Sequence, residues 1–201
     1  MKKEELILNI VFGLSLIYWG FAGFIQNYEH FIHSPARIST TVLNITVGIL
    51  IISRKSLIKL GSTKSILISL PSLILGGVIF KLSQPMNLWN LYSEISFIFG
   101  GIFTLISFLF LGRNFAIIPA IREVVANGTY LIVRHPAYLG ELIMTIACVI
   151  ASQNIYAIFV FILFLPLLIL RIKEEEKLLS ENENYKKYKE ITKWRLIPFI
   201  W

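Results

Sequence analysis

The sequence predicts an all-α protein, a polytopic transmembrane helical bundle of five to six spans followed by a cytoplasmic helical tail. Three observations predict it. Of 201 residues, 56% are hydrophobic and 15% charged, and the mean hydropathy of +0.72 lies far above that of soluble domains. The apolar residues gather into six runs that approach or reach the roughly 20 residues a helix needs to cross the hydrocarbon. The basic residues fall between these runs in a one-sided pattern. A length near 200 would suit one or two soluble domains, but contiguous apolar runs favour a single membrane domain over 1–201. Residues 1–112 supply its first helices, and 113–201 supply a polar loop, a helical hairpin and the tail.

The first run, 6–26, is long enough to span and is not followed by a small-residue cleavage site, so it reads as a retained helix and not as a signal peptide. The loop after it carries Glu29, His30 and His33, which read as loop polarity. The second run, 38–53, is short; 66–82 and 95–112 follow, separated by polar loops. The fifth and sixth runs, 138–152 and 154–171, are divided only around Ser152, Gln153 and Asn154, the spacing of a tight helical hairpin. Merging or losing one short run gives the five-span alternative. Beyond Arg171 the sixth helix continues into a charged segment. Ser180 and Glu183 then have the spacing of a capping box, which predicts a further helix bearing Tyr185, Tyr188 and Ile191 on one face. The aromatic stretch from Trp194 to Trp201 is expected to fold back onto the headgroup region or the bundle.

Six crossings put 17 of the 19 Lys and Arg residues on one side, leaving Arg37 and Lys81 on the other. By the positive-inside rule that side is cytoplasmic, and it holds both termini and the region of Arg134. The formal charge of +7 is therefore orientation chemistry and not a nucleic-acid surface. Cys148, the single cysteine, lies in an apolar run, which excludes an intrachain disulfide and a thiolate metal cluster. No zinc-binding His pair on a helix, nucleophile elbow, phosphate loop or dinucleotide turn is present.

Two polar groupings stand at the cytoplasmic edge. The first runs from Asn127 through Gly128, Tyr130, Arg134, His135, Pro136, Tyr138 and Leu139 to Gly140, with Glu141 one turn inside the next helix. Asn-Gly permits a turn, Pro136 suits a first helical turn, and the helix start offers free N–H groups to an anion. An interfacial helix cap is the plainer reading of the same residues. The second is Arg171 with Glu174, Glu175 and Glu176, an ordinary solvated face unless something docks on it. A carboxylate at Glu141 is costly in a membrane unless paired, with Arg134 or another cytoplasmic-side base as its expected partner.

The ordered set Gly128, Tyr130, Arg134-His135-Pro136, Tyr138, Gly140, then a hairpin, Arg171, Glu174-Glu175, Tyr185, Tyr188 and Ile197-Pro198 resembles the isoprenylcysteine carboxyl methyltransferase family, in its bacterial and archaeal branch, and the related phospholipid N-methyltransferases. The resemblance covers about the last 90 residues. It departs at Thr129, where the family usually has proline, and at the polar Ser180 to Asn184, where it commonly has Phe-Gly.

The resemblance implies an enzyme that binds S-adenosyl-L-methionine in a cytoplasmic-side pocket and methylates a lipidic or amphiphilic acceptor in a prokaryotic cell membrane. It further implies cofactor contacts from Tyr130, His135, Pro136, Tyr138, Leu139, Gly140 and Glu174 or Glu175. The catalytic candidates are Arg134 and Arg195, which would orient a carboxylate nucleophile, and Glu141, which with His135 could serve as base for an amine. Amine N-methylation, an NADPH-linked membrane reductase and a non-catalytic scaffold are the alternatives, and the oligomeric state stays open.

Overall fold

The computed structural model describes residues 3–26 and 34–201, so the loop histidines His30 and His33 lie outside the described residues. Six apolar helices form the bundle: α1 (Lys3–Gln26), α2 (Pro35–Ser53), α3 (Thr63–Leu82), α4 (Leu91–Leu111), α5 (Pro136–Ser152) and α6 (Ile155–Leu179). A short polar helix, α7 (Glu183–Ile191), follows. Five of the six, all but α5, are long and apolar enough to cross a membrane; α5 has 17 residues. The chain is thus an integral membrane protein built as a polytopic helical bundle.

Sequence explains where the helices begin and end. Asn90 and Asn154 cap α4 and α6 by accepting from the N–H groups of Ser93 and Tyr156, and Pro35 and Pro136 occupy first turns whose N–H groups have no helical partner. The tail helix differs from expectation. Ser180 ends α6, donating its hydroxyl to the Glu176 carbonyl, and Asn182 is the true cap of α7, accepting from Asn184 N. The charged Glu174–Lys177 turn continues α6 to Leu179 as expected, but Ser180 closes that helix, so the next one starts two residues later. On α7, Tyr185 and Tyr188 are buried while Ile191 faces outward.

The bundle pairs α1 with α2, α3 with α6 and α4 with α5. The α4–α5 approach is close, because neither Gly100 nor Gly140 has a side chain at the crossing. A Cβ on Gly140 would stand 2.7 Å from the Gly100 carbonyl oxygen and 2.0 Å from Thr104 Oγ1. Without a hydrophobic drive between helices in lipid, such close backbone contact is what holds them together. Outward faces stay apolar: Val11, Phe12, Leu67, Ile74, Phe99 and Phe159 are all exposed, as lipid-facing positions should be.

One end of the bundle carries the polar architecture. There β1 (Lys59–Leu60) pairs antiparallel with β2 (Ala120–Ile121), a small ladder that the sequence did not announce. Lys55 to Glu123 and Lys59 to Glu181 add ion pairs at this end. Helix α1 is tied in through Arg54, whose Nε donates to Asn9 Oδ1 at 2.8 Å, and through Arg122, 3.6 Å from Glu5.

Candidate active site

The segment between β2 and α5 folds over this polar end. Gly128 takes a φ of +55° and opens a single 3-10 turn, Gly128–Leu131, a conformation that suits glycine. A side chain there would also strike the Phe110 ring. The turn buries Tyr130, and the Tyr130 carbonyl accepts from Tyr188 Oη at 2.7 Å and Thr192 Oγ1 at 3.1 Å, which fastens the loop to the tail.

Glu176 is the centre of the site. Its side chain is 5% exposed. Oε1 accepts from Arg134 Nε at 2.6 Å and lies 3.3 Å from His135 Nε2, and Oε2 accepts from Arg195 Nε at 2.8 Å. Arg134 also donates through Nη1 to the carbonyls of Thr192 and Lys193 at 2.9 and 2.7 Å. Main-chain bonds run parallel to these: Arg134 N to Trp194 O at 2.8 Å, His135 N to Arg195 O at 2.9 Å, and the N–H groups of Arg195 and Leu196 to Trp201 O at 2.9 Å each. The aromatic end of the chain therefore folds back as expected, and a buried carboxylate among three basic groups is what locks it. Two arginines around one carboxylate give the cluster a positive excess, and a buried charge that is paired this closely is tolerable where a lone one is not.

Beside this lock a cleft, partly open to solvent, lies between α4, the loop, α5, α6 and α7. Its lining includes the basic Arg122, Arg134 and His135, the acidic Glu123 and Glu175, and the aromatic Tyr130 and Tyr138. Tyr138 donates its hydroxyl to Glu175 Oε2, and its ring stacks on His135 with centroids 5.5 Å apart. Tyr185 and Tyr188 also face the cleft. Burial pushes the Tyr130, Tyr185 and Tyr188 phenols well above their usual range, with the negative Glu175 adding to the shift at Tyr130, and Glu176 and Glu175 adding to it at Tyr185. All three phenols stay neutral donors at neutral pH.

Five of the candidate positions thus meet at the cleft: Tyr130, Arg134, His135, Tyr138 and Glu175. Arg195 joins them through Glu176, with its guanidinium 5.3 Å from the Trp201 ring. Pro136, Leu139, Gly140 and Glu174 are not among the described lining residues. Pro136 starts α5, Leu139 packs on the core and Gly140 makes the α4 contact. Glu141 pairs with Arg171, at 3.5 Å, and not with Arg134. Arg171 in turn lies over the Tyr138 ring at 4.4 Å.

The sequence did not single out Glu176 as a candidate site residue, although a signal for it exists. Phe164, Leu168, Ile172 and Glu176 recur every four residues and are at most 4% exposed, so the buried stripe of α6 runs straight into the third glutamate. Arg122 was missed too, and only the β1–β2 ladder brings it to the cleft.

No curated protein and no solved structure matches the chain. Residues 77–181, just over half of its length, match the isoprenylcysteine carboxyl methyltransferase (ICMT) family. That stretch runs from α3 to the end of α6 and contains the loop, the α5 start and the Glu174–Glu176 run. With the membrane-spanning bundle and the ordered cleft residues inside the matched segment, the chain belongs to the isoprenylcysteine carboxyl methyltransferase family.

Proposed function

We propose that the protein transfers a methyl group from S-adenosyl-L-methionine to a lipidic or amphiphilic acceptor, with the cofactor held in the cleft at the polar end of the bundle. The observation that carries this reading is a cleft whose lining combines basic, acidic and aromatic side chains. The cofactor is an amino acid with a sulfonium and an adenosine, so it needs a partner for a carboxylate, one for cationic groups and flat apolar surface for a base. Arg134, His135 and Arg122 match the first, Glu175 the second, and Tyr130 and Tyr138 the third.

When bound, the cofactor supplies an activated methyl on a positively charged sulfur. The chain's own residues align and shield. Tyr138 is oriented by its bond to Glu175 and by stacking on His135, so one face of the cleft is preset. Glu176 holds Arg134, His135 and Arg195 in place, which keeps the tail closed over the site and limits water. Arg134 and Arg195 are therefore positioning residues in this reading, with Arg195, 35% exposed at its side chain, the more available to orient an acceptor. Placing the site at a bundle end, with both termini in the cytoplasm, lets a water-soluble cofactor and a membrane-held acceptor reach it from different phases.

Calorimetric titration of S-adenosylhomocysteine into the detergent-purified protein tests the reading. Saturable binding that weakens at least tenfold in Tyr138→Ala supports it. A folded wild-type sample that takes up no S-adenosylhomocysteine refutes it.

A further inference from the structure

A second cleft, of about 350 Å³, opens within the apolar part of the bundle between α2, α3 and α5. Its polar lining is Thr40, Asn44, Glu141 and Thr145, and Gly76 and Gly77 form one wall. The space beside Gly77 is empty to 4 Å around where a Cβ would stand, and the Gly76 Cβ position is 3.6 Å from Glu141 Oε1, so the carboxylate looks onto a wall without side chains. Thr40, Asn44 and Phe80 also line a groove at the opposite bundle end, which makes the cleft reachable along the helices from there.

Glu141 is under-compensated. Its side chain is 25% exposed, and its one described cation is Arg171 Nη1 at 3.5 Å, beyond a close charge-assisted bond. Arg171 is shared, because its guanidinium also covers the Tyr138 ring and donates through Nη2 to the Ile117 carbonyl at 3.2 Å. Tyr138 carries the hydrogen bond to Glu175. One guanidinium therefore stands among two carboxylates, one on each side of the wall that separates this cleft from the cofactor cleft. A part-buried, half-paired carboxylate at membrane depth is costly unless something completes it, and a second anion beside it would be repelled. A donor with positive charge fits: an ammonium has three N–H bonds and no acceptor, and the cleft offers the Glu141 oxygens and the Asn44 amide oxygen.

We propose that this cleft binds the ammonium head group of an amine-bearing amphiphile, with Glu141 as its counter-ion. This is a binding site beyond the function proposed above and stands without it: an ammonium has no lone pair to accept a methyl group, so the site holds the amphiphile and is not where transfer occurs. An amine here lies one side-chain layer, Arg171 and Tyr138, from the cofactor cleft.

The test is equilibrium binding of radiolabelled dodecylamine at pH 7 to the purified protein, in parallel with dodecanoate. Dodecylamine should bind saturably and dodecanoate should not. Glu141→Gln should weaken dodecylamine at least tenfold, and Gly77→Leu, which fills the cleft without touching the Glu141–Arg171 pair, should do the same. Thermal unfolding and S-adenosylhomocysteine titration of each variant separate loss of the site from loss of the fold. Dodecylamine binding unchanged in both folded variants, or saturable dodecanoate in its place, overturns the proposal. Dodecylamine bound without S-adenosylhomocysteine keeps this site and removes the methyltransferase reading; the reverse pattern removes this site alone.

Discussion

Replacing Glu176 with glutamine removes the charge at the centre of the tail lock while keeping its shape. Arg134 and Glu176 are 6% and 5% exposed at their side chains, so this is a buried pair. Breaking such a pair from one side costs about 3–5 kcal/mol, because the remaining cation is left without compensation. The bond to Arg195, at a 35% exposed side chain, adds less than about 1 kcal/mol, since solvent screens it. For a chain of this length about 1 kcal/mol moves the unfolding midpoint by roughly 2–4 °C. Glu176→Gln should therefore lower the midpoint by about 6–24 °C in a fixed detergent at a fixed scan rate. Glu183→Gln is the control: its partner Lys186 is exposed, and the midpoint should move by no more than about 2 °C. Arg134→Leu combined with Glu176→Leu should cost less than the two single changes added together, because the pair is removed whole. A Glu176→Gln protein that melts within 1–2 °C of wild type would refute the lock, whatever its activity.

Three further outcomes are expected. Gly140→Ala should separate α4 from α5, because the new Cβ meets the Gly100 carbonyl and the Thr104 backbone, which cannot rotate away; overpacking of this kind costs about 1–3 kcal/mol or more, readable as a lower unfolding midpoint. Stability should fall as pH rises above about 10, since the Tyr130, Tyr185 and Tyr188 phenols are raised in the folded state and an unfolded tyrosine releases its proton first. Below that pH both states are protonated and these groups contribute no slope; Tyr188→Phe should reduce the alkaline loss measured by unfolding at pH 9 and 11. In a Cys148→Ser background, single cysteines at Lys59 and Lys186 should be labelled by an impermeant maleimide from the same side of the membrane. Lys59 pairs with Glu181, close to Lys186 in the chain, so labelling from opposite sides would sink the charge-based topology.

The one-dimensional properties of the sequence were sufficient for the bundle. Whether a segment of about 20 residues enters a membrane depends on its own hydrophobicity, and so all six apolar runs reappear as helices, with α5 the short one. Local caps were legible for the same reason, at Pro136 and at the turn through Gly128, where the chemistry lies within a few residues. The tail cap was misplaced by two residues because Ser180 turns its hydroxyl back to the Glu176 carbonyl and closes α6, which leaves Asn182 to start α7. What only the tertiary structure decided was pairing. Arg134 finds Glu176 42 residues away, Arg195 reaches the same carboxylate, and Glu141 is given to Arg171, which also covers Tyr138. A run of three glutamates is three equivalent charges on paper. Helical phase turns Glu176 inward along the stripe of Phe164, Leu168 and Ile172, sets Glu175 against Tyr138, and keeps Glu174 out of the cleft. Burial then separates them further, because a charge withdrawn from water must be met by partners that other helices supply, and hydropathy carries no record of which ones.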